Sequence, residues 1–287
     1  MNITLQLLLE EGISAFSKAG IGEAELDARY LLLEAFHTDM THFLLDRDRK
    51  LLEDEVTEQA VGKYHSMVAM RSKRIPLQQI TGSREFMGLE FYVNESVLIP
   101  RQDTETLVEL VLKEHKGKNP KVLDMCTGSG CIAVSLALLG GFDSVTAVDI
   151  SSEALKVAGR NAEKLMGNGR IELVESDLFS ALDESRKFDV IVSNPPYIPT
   201  EVIMGLEPEV KDHEPMLALD GREDGLYFYR RLAAECGRYL NPGGAVYFEI
   251  GYDQGESVSE LLKHEGFEEI RVKKDAAGLD RVVCAVR

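Results

Sequence analysis

Residues 121–133, KVLDMCTGSGCIA, run from an apolar strand through a glycine-bearing loop into the start of a helix. Downstream, SVTAVDI, SEALKVAGRNAEKL and RIELVES repeat the strand–helix–strand order, followed by the strand FDVIVSN, the helix LYFYRRLAAECGRYL and the strand AVYFEI. Strands that alternate with helices imply right-handed crossovers and a parallel sheet covered on both faces. The C-terminal stretch VSELLKHEGFEEIRVKKD, with DRVVCAVR after it, adds a helix and two strands that predict an antiparallel edge hairpin. Upstream, DTETLVELVLKEH reads as a helix. Residues 75–103 mix β-formers with Gly and Asn without helical periodicity, which predicts a linker with a β-hairpin. Residues 1–74 carry apolar residues at three- and four-residue intervals almost throughout, the pattern of a small helical bundle.

The chain has 287 residues, 44% of them hydrophobic, enough for a large domain and a smaller companion. Its 32 Lys and Arg against 49 Asp and Glu give a formal net charge of −17, which argues against broad capture of nucleic acid or of an anionic membrane surface. The stretch MNITLQLLLEEG lacks the basic start and long apolar run of a signal peptide, and no apolar run is long enough to span a bilayer, so the reading is cytoplasmic. Four cysteines show no CxxC pair and six histidines no zinc-site spacing, so no metal is expected.

In an open parallel sheet, ligands bind beyond the carboxyl ends of the strands. There, Gly128 and Gly130 allow close approach of the backbone to a ligand, and the helix start offers unpaired N–H groups. Asp149, about twenty residues after the loop, ends the next strand where a carboxylate accepts ribose hydroxyls. The GSGCIA segment fits a dinucleotide fingerprint, whereas DMCTGSG approximates the acidic, glycine-rich loop of methyltransferases; glycines that merely tighten a turn are the plain alternative. Asp124 tilts the choice towards S-adenosyl-L-methionine, since a carboxylate repels pyrophosphate and suits a sulfonium and an ammonium. Asp177, after the third strand, is placed to reach the adenine amine, or else caps an exposed helix.

The strand FDVIV ends in VSNPPYIP, residues 192–199. Pro195 and Pro196 fix φ and offer carbonyls without N–H groups, so with the side-chain carbonyl of Asn194 they form a rigid acceptor site for a planar NH2 group. Tyr197 can stack on that group. Two acceptors orient an amide or aryl amine nitrogen and favour its pyramidal form, which is catalysis by positioning. No general base is required, because an N-alkylated amide with an extra proton is a strong acid. A proline-rich strand exit with a packed tyrosine is the bland alternative.

With these motifs in hand, the sequence resembles the release-factor glutamine methyltransferases, the PrmC/HemK family, over nearly its whole length. ITGSREF, IPRQDTE, LDMCTGSG, VDIS, SDLF, VSNPPYIP, HEPMLALDG with EDGL, and FEIG occur in the family's order. The resemblance implies an α/β fold, a Rossmann-like class I methyltransferase sheet that is mostly parallel, with an N-terminal helical bundle domain. It implies residues 1–74 as a substrate-recognition domain, 75–103 as the linker and 104–287 as the methyltransferase domain. Cofactor contacts carry over to Thr127, Gly128, Ser129 and Gly130 with Cys126 beside them, to Asp149, and to Asp177 with Leu178. The amide-holding residues carry over to Asn194, which also borders the cofactor, and to Pro195, Pro196 and Tyr197. The implied substrate is the glutamine of a Gly-Gly-Gln tripeptide in class-1 peptide-chain release factors, the agents of translation termination, with S-adenosyl-L-homocysteine as by-product. Cys126 stands where the family loop has its first glycine, which argues against positive φ there; Gln102 replaces a proline beside Arg101. Arg84, Glu85 and Arg101 either organise the hairpin near the site or, on the plainer reading for any one of them, form ordinary surface ion pairs.

A nucleic-acid amine methyltransferase can use the same tetrad. The net charge opposes it, as do Glu201, Glu207, Glu209, Asp212, Glu214 and Asp220 in the segment after the tetrad, which is expected to border the substrate entrance and repel phosphate. A non-catalytic cofactor sensor has no need of the tetrad, and a nicotinamide dehydrogenase ranks last.

Overall fold

The computed structural model describes residues 3–167 and 171–287; residues 1–2, at the head of the predicted helical bundle, and 168–170, at the start of RIELVES, lie outside the described residues. The chain forms two compact units, Met1–Gly82 with Glu207–His213, and Ser83–Leu206 with Glu214–Arg287.

The first unit holds α1 (Leu5–Lys18), α2 (Ala24–Phe36), α3 (Met40–Asp46), α4 (Glu55–Arg71) and α5 (Leu77–Thr81). Thr4, Asp39 and Asp54 cap α1, α3 and α4 by accepting a backbone N–H three residues on, which satisfies donors that a helix start leaves free. Along α1, Leu5, Leu8, Leu9 and Phe16 recur on one face and are buried with Leu31, Leu32 and Tyr64 in one core. Helix α5 falls where no helix is expected. Pro76 sets its entry and Gly82, in the left-handed region, its exit, and five residues are too few to display a periodicity.

From the segment after the NPPY tetrad, α10 (Pro208–Lys211) and its flanks belong to this unit. Arg71, whose side chain is 8% exposed, donates from Nε to Asp27 at 2.7 Å and from Nη1 to Glu209 at 2.8 Å. Arg74 donates to Glu209 at 2.6 Å and to Glu207 at 3.0 Å. Burial pushes the Glu209 carboxyl up, but the bonds from Arg74 and Arg71 outweigh it and hold its pKa at about 2. Glu207 and Glu209 are thus engaged in ion pairs rather than left as free repulsive charges, against the sequence expectation.

The second unit opens with a hairpin of β1 (Ser83–Phe86) and β2 (Leu89–Tyr92), as expected, followed by α6 (Gln102–Glu114). Then come β3 (Lys121–Met125), α7 (Cys131–Gly140), β4 (Ser144–Asp149), α8 (Ser152–Met166), β5 (Ile171–Glu175) and β6 (Phe188–Ser193). After two one-turn helices, α9 (Thr200–Ile203) and α11 (Met216–Leu219), follow α12 (Tyr227–Tyr239), β7 (Leu240–Glu249), α13 (Gly255–His264), β8 (Glu268–Lys274) and β9 (Asp280–Val286). Helices α9, α10 and α11 were not read from the sequence; a proline at the cap or first position starts each.

The sheet order is β5-β4-β3-β6-β7-β9-β8, parallel except where β9 runs antiparallel between β7 and β8. This is the mostly parallel sheet with a closing hairpin that the strand–helix alternation predicts. Adjacent residues of the central strands face opposite ways: Leu123, Met125, Ile191, Val246 and Phe248 pack under α12 and α13, and Val122, Val190, Val192 and Tyr247 pack under α6 and α7.

Arg71→Ala leaves the buried carboxylate of Asp27 unpaired, while the half-buried Glu209 keeps Arg74, and is expected to destabilise the helical unit by about 3–5 kcal/mol. Urea unfolding followed by a probe placed in that unit measures it. Because the Glu209 pKa is depressed, its contribution is present above the ordinary carboxylate range and is lost as pH falls towards about 2.

Candidate active site

The chain winds from β3 to β4 and β5 on one side, then returns to place β6 on the other side of β3. This reversal makes the carboxyl ends of β3 and β6 a topological switch point, where two loops leave in opposite directions and open a crevice. Met125 and Ser193 lie side by side in register, and the Ser193 hydroxyl donates to the Met125 carbonyl at 2.7 Å. The glycine loop and the NPPY tetrad, 68 residues apart at these two positions, are thereby adjacent.

The loop is tied down at both ends. Asp124, 0% exposed, accepts from the Thr127 hydroxyl at 2.6 Å and from the Ala133 N–H, in the first turn of α7, at 3.1 Å. Burial pushes this carboxyl up to about 7, against those hydrogen bonds. Asp124 does not line the crevice; it organises the loop from behind, so its charge is not presented to a ligand as the sequence reading had it. Thr127 N–H donates to the Val148 carbonyl at 2.9 Å. Cys126 between these anchors has φ +63°, contrary to the expectation from its being no glycine. The bonds on either side hold the turn, at a strain of about 1–3 kcal/mol. Gly130, also at positive φ, caps α7, and a Cβ there would come within 3.0 Å of that of Ala158. Gly130 therefore serves close packing against α8 and does not line the crevice.

Asp149 accepts from Gly128 N–H at 2.8 Å through one oxygen and from Ser151 N–H at 2.9 Å through the other, which leaves outward lone pairs on both. Burial raises its pKa despite these donors. A cavity of about 250 Å³ lies here, lined by Cys126, Thr127, Gly128, Ser129, Asp149, Asp177, Leu178, Asn194 and Pro196 among others. Of the residues singled out in the sequence, Asp124, Gly130, Pro195 and Tyr197 are not among its lining. Asp177 sits at the rim, where its Oδ1 accepts from Arg231 of α12 at 2.8 Å.

Behind the tetrad, Gln254 donates to the Tyr197 carbonyl at 3.0 Å, while its own amide oxygen accepts from Gly251 N–H at 2.9 Å. A Cβ on Gly225 would lie 2.3 Å from that same Tyr197 carbonyl oxygen, so the EDGL and FEIG segments close directly on the turn. The tyrosine hydroxyl reaches Glu249 at 3.5 Å. Asn194 Nδ2 donates to the Thr104 hydroxyl at 3.4 Å, and Pro195 and Pro196 are buried.

Sequence reasoning missed Thr104, Gln254 and Arg231, and took Glu214 for a free repulsive charge. Glu214, in HEPMLALDG, is 6% exposed and accepts from Ile99 N–H at 3.1 Å and from Arg101 at 2.5 Å, which sets Arg101 in the cavity wall. Arg84 donates to the Pro100 carbonyl at 3.1 Å, so neither arginine is an ordinary surface pair. Asp220 is bonded to Thr200 at 2.6 Å and to Arg222 at 3.2 Å. With Glu207 and Glu209, four of the six acids expected to repel phosphate are thus already engaged. Apart from Asp220 with its near neighbour Arg222, these pairings have no local signal; only the family-like motifs that contain Glu214 and Glu249 could have marked them.

Two family models match: the methyltransferase small domain over residues 101–204 and the PrmC N-terminal domain over residues 8–82. A release factor glutamine methyltransferase from Clostridium acetobutylicum is 44% identical over 85% of this chain and 88% of its own length. One from Clostridium botulinum is 40% identical over 98% of each chain. A solved methyltransferase from Pyrococcus furiosus, 20% identical, covers 70% of this chain and 90% of that one with a TM-score of 0.51, a likeness of fold. The Rossmann-like class I sheet agrees with these likenesses, and the chain belongs to the release factor glutamine methyltransferase family.

Proposed function

We propose that this chain methylates the side-chain amide nitrogen of the glutamine in the Gly-Gly-Gln tripeptide of class-1 release factors, using S-adenosyl-L-methionine, in the cytoplasm. The observation that carries the reading is that Asn194 and Asp149 line one cavity from opposite sides of the switch point. The cofactor, when bound, supplies a methyl group on a cationic sulfur. The residues present fit it. The oxygens of Asp149, each already taking one backbone N–H, suit ribose hydroxyls with their remaining lone pairs, and the Asp177 oxygen not bonded to Arg231 suits the adenine amine.

On the other side, the Asn194 side-chain carbonyl at the cavity wall and the Pro195 backbone carbonyl, which lies beyond the cavity lining, are read as the acceptors of the two hydrogens of the substrate NH2. An amide nitrogen shares its lone pair with its carbonyl. Holding both hydrogens out of that plane favours the pyramidal nitrogen, so the acceptors bind the transition state better than the resting amide. Tyr197, with its carbonyl held by Gln254, keeps the turn rigid. The proton lost from the methylated nitrogen needs no dedicated base, since that nitrogen is strongly acidic.

The helical unit is read as the docking element for the large protein substrate, because the chemical groups all lie in the other unit. A nucleic-acid substrate is disfavoured by the net charge of −17 and by the relatives' names, rather than by the acids after the tetrad, most of which are paired. Among the described residues no helix is long and apolar enough to cross a membrane.

Incubation of purified release factor with this protein and S-adenosylmethionine is expected to add one methyl group by intact mass, located on the tripeptide glutamine. Label that is nuclease-sensitive in a cell extract would instead favour the nucleic-acid reading. Asn194→Ala is expected to abolish most turnover while cofactor affinity, read by calorimetry, stays nearly constant. Asp149→Ala is expected to weaken S-adenosylmethionine binding by about 1.5–3 kcal/mol, the worth of charge-assisted hydrogen bonds. Unchanged affinity in the folded variant would remove Asp149 from the cofactor site.

A further inference from the structure

Behind Asn194 lies a buried polar group that the reaction as derived leaves unused. Glu249 is 1% exposed and ends β7, whose Phe248 pairs with Ser193, so it comes level with Asn194 on the neighbouring strand. Its Oε1 faces the Tyr197 hydroxyl at 3.5 Å and its Oε2 has no hydrogen-bond partner among the described residues; the Thr104 hydroxyl is among the groups that hold its pKa down against burial. Thr104, 1% exposed on α6, receives the Asn194 Nδ2 at 3.4 Å.

A threonine hydroxyl has one hydrogen and two lone pairs. When that hydrogen goes to the Glu249 carboxylate, only lone pairs remain for Asn194. The amide must then turn its NH2 towards Thr104 and its carbonyl oxygen towards the cavity. We propose that Glu249, acting through Thr104, fixes the orientation of the Asn194 amide, so that an acceptor rather than a donor meets the substrate NH2. Both are positioning residues, and the inference rests on the amide-methylation reading above. The reverse orientation sets NH2 against NH2 and removes one of the two acceptors.

The arrangement is sensitive to proton uptake. Burial pushes Glu249 up to about 7. The groups that face it are Thr104 and Asp103 from α6, Tyr197 from the tetrad and Arg281 from β9; Tyr229 of α12 donates to its backbone carbonyl at 2.6 Å. Arg281 is bonded to Asp275 at 3.1 Å and to the Ile250 carbonyl at 3.3 Å. A protonated Glu249 can donate to Thr104. That frees the threonine hydrogen to turn to Asn194 and reverse the amide, so turnover is expected to fall as pH drops through this ionisation.

The test is methylation of release factor at saturating S-adenosylmethionine across pH by the full-length protein and its variants. Thr104→Val is expected to lower kcat about tenfold or more, with KM and cofactor affinity within about twofold. Thr104→Ser restores most of the loss. The wild-type rate falls below about pH 7, and Glu249→Gln, which accepts but does not ionise, lowers turnover yet lacks this limb. The orientation is also read without substrate. The side-chain NH2 resonance of Asn194, assigned by its disappearance in Asn194→Asp, shifts through the same pH range in the wild type and not in Glu249→Gln or Thr104→Val. Wild-type turnover in Thr104→Val, a loss borne by KM or cofactor affinity, a pH limb retained in Glu249→Gln, or an unshifting Asn194 resonance would each overturn the inference. A wild type whose resonance shifts as described but which methylates no release factor supports the inference and overturns the substrate reading alone.

Discussion

The hydrogen bond from the Ser193 hydroxyl to the Met125 carbonyl, 2.7 Å long and fully buried, joins two strands at the place where the chain reverses its direction of winding. In the seven-stranded sheet, β4 and β5 lie on one side of β3, and β6 with the strands after it lies on the other. A loop that leaves β3 therefore turns away from a loop that leaves β6, and the space between them is open for ligand. The parallel pairing from Val122–Val190 to Met125–Ser193 sets the register, and the register decides that the glycine loop and Asn194 of the tetrad face one cavity. A shift of one residue would turn the side chains of β6 to the opposite faces of the sheet and carry the tetrad along the strand.

Around that seam the backbone is held under strain. Cys126, Leu178 and Arg222 have φ of +63°, +50° and +71°, and all three line the cavity. Non-glycine residues persist in this region only where neighbouring bonds over-determine them. Here those bonds are the Thr127 N–H to Val148, the burial of the Leu178 side chain, and the pair Thr200 N–H to the Arg222 carbonyl with Arg222 N–H to Asp220. A cavity wall over-determined in this way is held in one conformation.

The segment after the tetrad links the chemistry to the helical unit by covalent continuity. It leaves the NPPY tetrad, gives up residues 207–213 to the unit that holds Arg71 and Arg74, and returns at Glu214 to hold Arg101. Its acidic composition thus serves internal ion pairing, and the low effective charge that remains is compatible with an uncharged Gly-Gly-Gln loop as well as with the family to which the chain belongs.

The strand–loop–helix of KVLDMCTGSGCIA, the alternation that follows it and the rigid NPPY exit were readable in the sequence because they rest on short-range causes. Apolar period, a glycine that admits a turn and a proline that fixes φ all act on their immediate neighbours. Asp149 and Asn194 were found for the same reason, as residues at strand ends. What only the tertiary structure decided are partnerships between distant residues: Asn194 with Thr104, Tyr197 with Gln254 and Glu249, Arg71 with Glu209, and Asp124 turned inward to its loop instead of outward to a ligand. Each depends on which strands lie side by side and in what register. That is set by the packing of the whole sheet, and no window of sequence around one partner contains the other.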